Sequence, residues 1–299
     1  MGSNPTPRTY FPLHFELRHY VYSFIRRLDT NPWIEIDMQV QKLFSEAQLK
    51  ASRSFLAKDP IVNVLPLGDL YKPLLSVSEI YLAVENTAVV GVSSIYRAYP
   101  TPSIVFGAAN EDAKQALIES TLEKISSDFI SLLPPDEAKL FKKYATVLRC
   151  HNEFQLITRA PREVETSDVE ISRVGSRELE ALNQFYIDHH AEAWTPIQFK
   201  AGPYYCAKHE SRIVSAAGVH IVTPQIAHLG NIVTDEAFRG QGFATACTAA
   251  LAKDLASKGR IISLYVKVDN ASAIHIYEKL GFTKSRDIRF LIMRKKTDG

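Results

Sequence analysis

One stretch constrains this chain more than any other. Arg239-Gly240-Gln241-Gly242-Phe243-Ala244 comes directly after an apolar run, His228 to Thr234, and opens a helical pattern from Phe243 to about Ser257. Strand, glycine-rich turn and helix in that order point the unpaired N–H groups of a helix N-terminus, at the positive end of its dipole, toward an anion. Gly240 and Gly242 let the backbone approach a phosphate because no Cβ stands in the way. Arg239 adds a planar cationic fork. A glycine pair alone also fits an ordinary turn, so its surroundings decide.

Those surroundings alternate between strands and helices. Proline, charge and missing periodicity mark Ala160 to Asp168 as a linker between two halves. After it, Val169 to Val174 alternates like a strand and Leu179 to His189 is amphipathic, with Leu179, Leu182, Phe185 and Tyr186 on one face. Pro203 to His209 and Arg212 to Val222 read as strands around a polar turn. The glycine-loop strand and its helix follow, then a strand at Ile261 to Lys267, a helix at Ala271 to Leu280 and a last strand at Phe290 to Met293. The order is β-α-β-β-β-α-β-α-β.

The first half carries a fainter copy. Glu79 to Val92 resembles the strand-turn-strand from Tyr204 to Val219, and each copy follows an amphipathic helix, Leu49 to Leu56 or Leu179 to Phe185. Gly91 and Gly218 are expected to close the second strand of each pair. Beyond Ser103 to Phe106 the copies diverge. Gly107 to Ala113 replaces the basic glycine loop, and its Glu111 and Asp112 would repel a phosphate. The expected domains are therefore 1–160, a degenerate unit, and 165–299, the anion-binding unit.

The chain has 299 residues, 46% hydrophobic and 23% charged, enough to bury a core. A net charge of +2 argues against a dedicated nucleic-acid surface. With no membrane-length apolar run and no secretory leader pattern, neither a membrane nor export is expected. Cys150, Cys206 and Cys247 are odd in number and lack metal spacing. They read as reduced cysteines of a cytoplasmic protein, and Cys247 as a packed residue. No metal site is expected: His189 and His190 are adjacent on a helix, point apart and have no third ligand at useful spacing. Met1 to Thr6 fits the loose N-myristoylation pattern and equally a flexible tail.

Downstream of the loop, Asn270 ends a strand and can cap the next helix. Tyr277 lies two helical turns on, on the same face, and Gly281 stands where a left-handed C-cap is expected. By itself Tyr277 equally suits a core aromatic. Together, Ile232 to Thr234, the Arg239 to Ala244 loop, and Asn270 with Tyr277-Glu278-Lys279-Leu280-Gly281-Phe282 resemble the GNAT superfamily of acetyl-CoA-dependent N-acetyltransferases, over about residues 165 to 295. A two-domain subgroup fits best, and the plan is also that of amino-acid N-acyltransferases such as the glycine-conjugating enzymes.

The resemblance implies an α/β (α+β) fold of tandem GNAT-like units, with a mixed central sheet splayed between two strands and flanked by helices. It implies acetyl-CoA as cosubstrate. The N–H groups of Gly240, Gln241, Gly242, Phe243, Ala244 and Thr245 would cradle its pyrophosphate, beside Arg239. The pantetheine arm would pair like a strand with Ile232, Val233 and Thr234, using ladder groups that the splay leaves free. Asn270 would hold the cosubstrate near the splay. Tyr277 would protonate the departing thiolate, as a phenol of reference pKa about 10 is suited to do. The Val233 N–H above all would polarise the thioester carbonyl.

The base that deprotonates an amine acceptor is left open. Some family members place a glutamate on the strand before the loop, and counting back from Arg239 that position is Ile226 here. His228 lies on the same face of the strand and titrates near neutrality. His220 is the second candidate, and both also suit structural histidines with water as the relay. Trp194, Tyr204 and Tyr205 either line an acceptor pocket between the halves or seal their interface. The expected activity is direct transfer of acetyl to a primary amine of a small or amino-acid-like acceptor. A protein or peptide N-terminal acetyltransferase and a non-catalytic acyl-CoA-binding module are the alternatives; the oligomeric state is open.

Overall fold

The computed structural model describes residues 22–26, 36–164 and 170–296. The Met1 to Thr6 pattern and the linker stretch 165–169 lie outside the described residues. The first half contributes β1 (Tyr22–Arg26), β2 (Ile36–Lys42), α1 (Glu46–Leu56), α2 (Val64–Gly68), β3 (Ser78–Glu85), β4 (Ala88–Tyr96), β5 (Ser103–Ala108), α3 (Glu111–Leu122), β6 (Phe129–Leu133), α4 (Pro135–Phe141) and β7 (Ala145–Thr158). The second contributes β8 (Ile171–Arg173), α5 (Leu179–Asp188), β9 (Tyr205–His209), β10 (Arg212–Val222), β11 (Ile226–Thr234), α6 (Phe243–Ala256), β12 (Ile261–Lys267), α7 (Ala271–Lys279) and β13 (Thr283–Lys295). The β-α-β-β-β-α-β-α-β order of the second half is the one its sequence implies.

Among the described residues all thirteen strands form one sheet, in the order β1-β2-β3-β4-β5-β6-β13-β7-β12-β11-β10-β9-β8. Each half contains a parallel pair, β5 with β6 and β11 with β12, inside otherwise antiparallel neighbours. The strand beside each parallel pair comes from the other half. β13 pairs with β6 from Arg289↔Leu133 to Met293↔Phe129, and β7 pairs with β12 from Ile262↔Thr158 to Lys267↔Glu153. β7 and β13 then pair with each other along their length. The linker is thus a boundary in sequence only: each unit is completed by a strand from the other.

Local signals explain the helices. Ser45 caps α1 by accepting from Gln48 N at 3.2 Å, and Leu49, Ser52 and Leu56 turn one face inward. Asn270 caps α7 from Ala273 N at 3.1 Å. At the other end Gly281 takes φ +87 and Phe282 N closes on Tyr277 O at 2.9 Å, the left-handed stop that its sequence implies. The second half's core packs α6 residues Cys247, Leu251 and Leu255 against Ala216, Ala227, Leu229 and Ile262. Another cluster bridges the halves: Leu56, Val64, Leu67 and Leu82 meet Ile226 and Ile261. Each such aliphatic side chain contributes about 1.5–3 kcal/mol when fully buried.

Gly91 and Gly218 differ from their expected role. β4 and β10 continue past them to Tyr96 and Val222. They serve close packing instead: a Cβ on Gly218 would stand 1.8 Å from the Tyr204 ring, and one on Gly91 would stand 2.8 Å from Leu117. The last strand is also longer than its apolar centre suggests, because its polar ends stay hydrogen-bonded to β7.

Candidate active site

The site is built where β11 and β12 part. They pair in parallel from Ile226↔Ile261 to Leu229↔Leu264 and no further. β12 stays with β7 as far as Lys267, and β11 stays with β10 as far as Thr234. The ladder groups on one edge of Gly230 to Thr234 are therefore released from β12. Asp235 N donates to Val214 O at 2.9 Å, so Val233, two residues earlier and opposite Ala216, also turns its N–H toward β10. By the same alternation the N–H groups of Ile232 and Thr234 face the gap. The ladder thus assigns Val233 a packing and pairing role and gives its two neighbours the free donors expected of Val233.

Past the gap the backbone turns through Glu236–Phe238, a 3-10 turn, into the glycine loop. Gly240 and Gly242 adopt φ +76 and +85, and a Cβ built on either would meet nothing within 4 Å. The approach to both is open. Gly242 is the N-cap of α6 and supplies no side-chain cap, and the first turn holds no acidic residue. Ala246 N makes the first helical bond, to Gly242 O, so the N–H groups of Phe243, Ala244 and Thr245 precede the ladder. These features fit a phosphate. Arg239 and Gln241 are exposed, and both bond back to the loop's entry arm. Arg239 holds Thr234 O at 3.4 Å and Glu236 at 3.0 Å, while Gln241 Nε2 donates to Ala237 O at 3.3 Å. Both brace the loop against its own entry arm.

Tyr277, on α7, is 7% exposed and packs on Phe282 with ring centroids 5.9 Å apart. Its hydroxyl makes no hydrogen bond with a described residue. Burial pushes the phenol up to about 12, so it keeps its proton throughout the neutral range. Asn270 spends its Oδ1 on the α7 cap and on Ser272 at 3.3 Å. Its amide nitrogen is its remaining donor.

His228 and His220 lie beneath the gap, ring centroids 6.2 Å apart. His228 is 2% exposed, with Nδ1 at 3.1 Å from Ser263 Oγ and its ring edge-on to Tyr265. Burial, then the neighbouring His220 and Arg286, hold it well below the ordinary imidazole value. It is neutral at pH 7 and a weak base. His220 stands directly over Gly230, where a Cβ would come within 2.2 Å of its Nε2, and that nitrogen is buried without a partner. Burial lowers its basicity too, partly offset by the Asn231 amide. His220 thus keeps a ring nitrogen without a partner, while His228 spends its Nδ1 on Ser263.

Trp194 and Tyr204 belong to the second half's core. Trp194 donates to Asn183 Oδ1 at 2.9 Å and lies against Tyr186 and Tyr204, while Tyr204 donates to Val219 O at 2.9 Å. Cys247 is fully buried, its Sγ 3.7 Å from Ser215 O, and burial raises its thiol to about 12. Such a thiol is a poor nucleophile. Sequence reading passed over Asn231, whose backbone at φ +52 lies on the rim of the gap. Its only sequence signal is a polar residue inside an apolar run.

One comparison with known proteins falls on the same part of the chain, and the structural ones take in more of it. The FR47-like protein family matches residues 209–291, which span β10 to β13. A mycothiol acetyltransferase of Amycolatopsis mediterranei is 41% identical over 73 residues, 22% of this chain and 24% of that enzyme. The match thus spans about a quarter of the relative's length. A GNAT-family acetyltransferase structure from Novosphingobium aromaticivorans, described as putative, superposes with TM-score 0.55 at 21% identity, covering 69% of this chain and 89% of that one. A tandem GNAT protein from the clavulanic acid biosynthesis pathway superposes with TM-score 0.56 at 12% identity, covering 88% of this chain and 100% of that one.

Proposed function

We propose that this chain, which matches the FR47-like protein family over residues 209–291 and shares the fold of a tandem GNAT protein along most of its length, transfers acetyl from acetyl-CoA to a primary amine of a small or amino-acid-like acceptor. One observation carries the reading: the β11–β12 ladder opens after Leu229↔Leu264, directly before a glycine-led helix end that has no side-chain cap. The free edge suits the amides of a pantetheine arm, and the Gly240 to Thr245 N–H groups suit a pyrophosphate. The N–H groups of Ile232 and Thr234 are the donors open to a thioester carbonyl lying in the gap.

The chemistry follows from the side chains. The unprotonated amine attacks the thioester carbon, the C–S bond breaks, and the thiolate takes the Tyr277 proton. The proton lost by the amine goes to His220, behind which His228 and Ser263 form a polar backing. No acyl-enzyme is needed, and the buried Cys247 supports none. Tyr99 of the first half reaches across to Ala193 O and Gln198 at 3.2 and 2.8 Å, which supports a small acceptor over a peptide laid in an open groove.

Calorimetric titration of acetyl-CoA, followed by a panel of small amines and a panel of N-terminal peptides, tests the reading. Micromolar binding with turnover on a small amine is the expected result. Binding with no turnover on either panel would leave a regulatory acyl-CoA-binding module, and absence of binding would remove the cosubstrate altogether.

A further inference from the structure

Asn231 stands where β11 changes from paired to free. Against β10, Gly218 pairs with Gly230 but Ala216 pairs with Val233, so β11 carries one extra residue at this point. Such a bulge re-aims the strand that follows it, here Ile232 to Thr234. Asn231 takes φ +52, a backbone region that asparagine tolerates better than most residues with a Cβ. It is 8% exposed and tied on both sides. Its carbonyl accepts from Tyr186 Oη at 2.7 Å. Its Nδ2 donates to Gln198 Oε1 at 2.9 Å and lies 3.3 Å from Tyr204 Oη. Gln198, 2% exposed, donates in turn to Tyr99 Oη at 2.8 Å, and Tyr99 donates to Ala193 O at 3.2 Å. A chain of directional bonds, buried at Asn231 and part-buried where Gln198 meets Tyr99, therefore runs from the turn after β4, in the first half, to the rim of the gap in the second.

We infer that Asn231 is a positioning residue for the acetyl end of the site, and that the first half holds it there through Tyr99 and Gln198. The inference rests on the cosubstrate reading of the gap. It gives the first half a task that needs no ligand of its own: fixing the bulge that aims Thr234 N–H. Buried bonds of this kind suit the task because each group, once deprived of its partner, has no water to replace it.

Two ligands separate positioning from general stability. Acetyl-CoA would span both loop and gap, whereas its fragment 3′-phosphoadenosine 5′-diphosphate carries the phosphates alone. In Asn231→Gly the glycine keeps φ +52 without strain but loses the side-chain tether. Tyr99→Phe keeps the ring and removes the remote end of the chain. Asn231→Gly is expected to weaken acetyl-CoA about tenfold and Tyr99→Phe about threefold, each leaving the fragment within about twofold of wild type. Acetyl-CoA affinity unchanged in both variants would overturn the inference. So would an equal loss for both ligands, which marks a merely structural role. Wild-type protein that binds neither ligand would instead overturn the cosubstrate reading, and this inference with it, before any variant is made.

Discussion

The two halves use the same frame and differ at two places. In each, a parallel pair of strands parts and a helix follows. In the second half the helix end is Gly242, open and without an acidic neighbour. In the first, Asn110 caps α3 through Ala113 N at 2.8 Å, and Glu111 and Asp112 occupy its first turn. The gaps differ as well. β5 and β6 pair only at Ser103↔Ile130, but the opening beyond is plugged by the α1–α2 connection. Asn63 Oδ1 would lie 2.4 Å from a Cβ on Gly107, while Gln155 and Arg286 hold Ile61 O and Val62 O at 2.9 and 2.7 Å. Only a cavity of about 50 Å³ remains, lined by Asn63, Gly107, Leu133, Tyr265 and Arg286 among others. The comparison teaches that one frame can stand with its helix end open or closed, because anion binding depends on a helix cap and on what fills a gap.

The strongest way to break that contrast is to give the open helix end the character of the closed one. Gly242→Glu puts a strained, anionic residue at φ +85, and acetyl-CoA affinity should fall by at least ~100-fold in calorimetry. The reverse change, Asn110→Gly with Glu111→Gln and Asp112→Asn, should leave one binding site per chain, since the first gap stays plugged. A second site in that titration would sink the two-place account. Tyr277→Phe should lower turnover on an accepted amine by about 100-fold while acetyl-CoA affinity stays within about twofold. Unchanged turnover would return Tyr277 to the core.

Two smaller effects sharpen the first half's structural role. Asp69 is buried with Ser94 Oγ as its hydrogen-bond donor at 2.6 Å, and burial raises its carboxyl to about 7. Folding therefore favours its protonated form, so between pH 4 and pH 7 the native state binds more protons than the unfolded one and stability falls as pH rises. Asp69→Asn should remove a slope on the order of 3 kcal/mol, measured by urea unfolding at pH 4.5 and pH 8. A slope that persists in the variant would place the titration elsewhere. Smallest of all, Asn110→Ala should cost about 1 kcal/mol of stability through the lost α3 cap and leave acetyl-CoA binding untouched.

Much of this arrangement is written in local signals. Gly240, Gly242, Asn270 and Gly281 each announce a backbone conformation, and all four occupy the position their type implies. The element order of the second half follows from periodicity for the same reason. What escaped sequence reading is non-local. Nothing near Val233 or Thr234 says which N–H faces the gap, because that parity depends on the bulge at Asn231 and on pairing with β10. Nor does periodicity reveal that His228 is sealed between Ser263 and Tyr265, since both come from β12, a strand distant in sequence. The partner of a β-strand is likewise absent from its own sequence, which is why the linker suggested two separable domains.

The exchange of β7 and β13 also has a consequence for how the chain is made. As it leaves the ribosome, the first half emerges with β6 exposing a bare edge, for the strand that covers it is the last of the thirteen to be synthesised. Neither half of the sheet is closed until that strand arrives, because it pairs with β6 on one side and β7 on the other. Birth order therefore ties the fate of the second half to that of the first: until that strand is in place, two edges stay open.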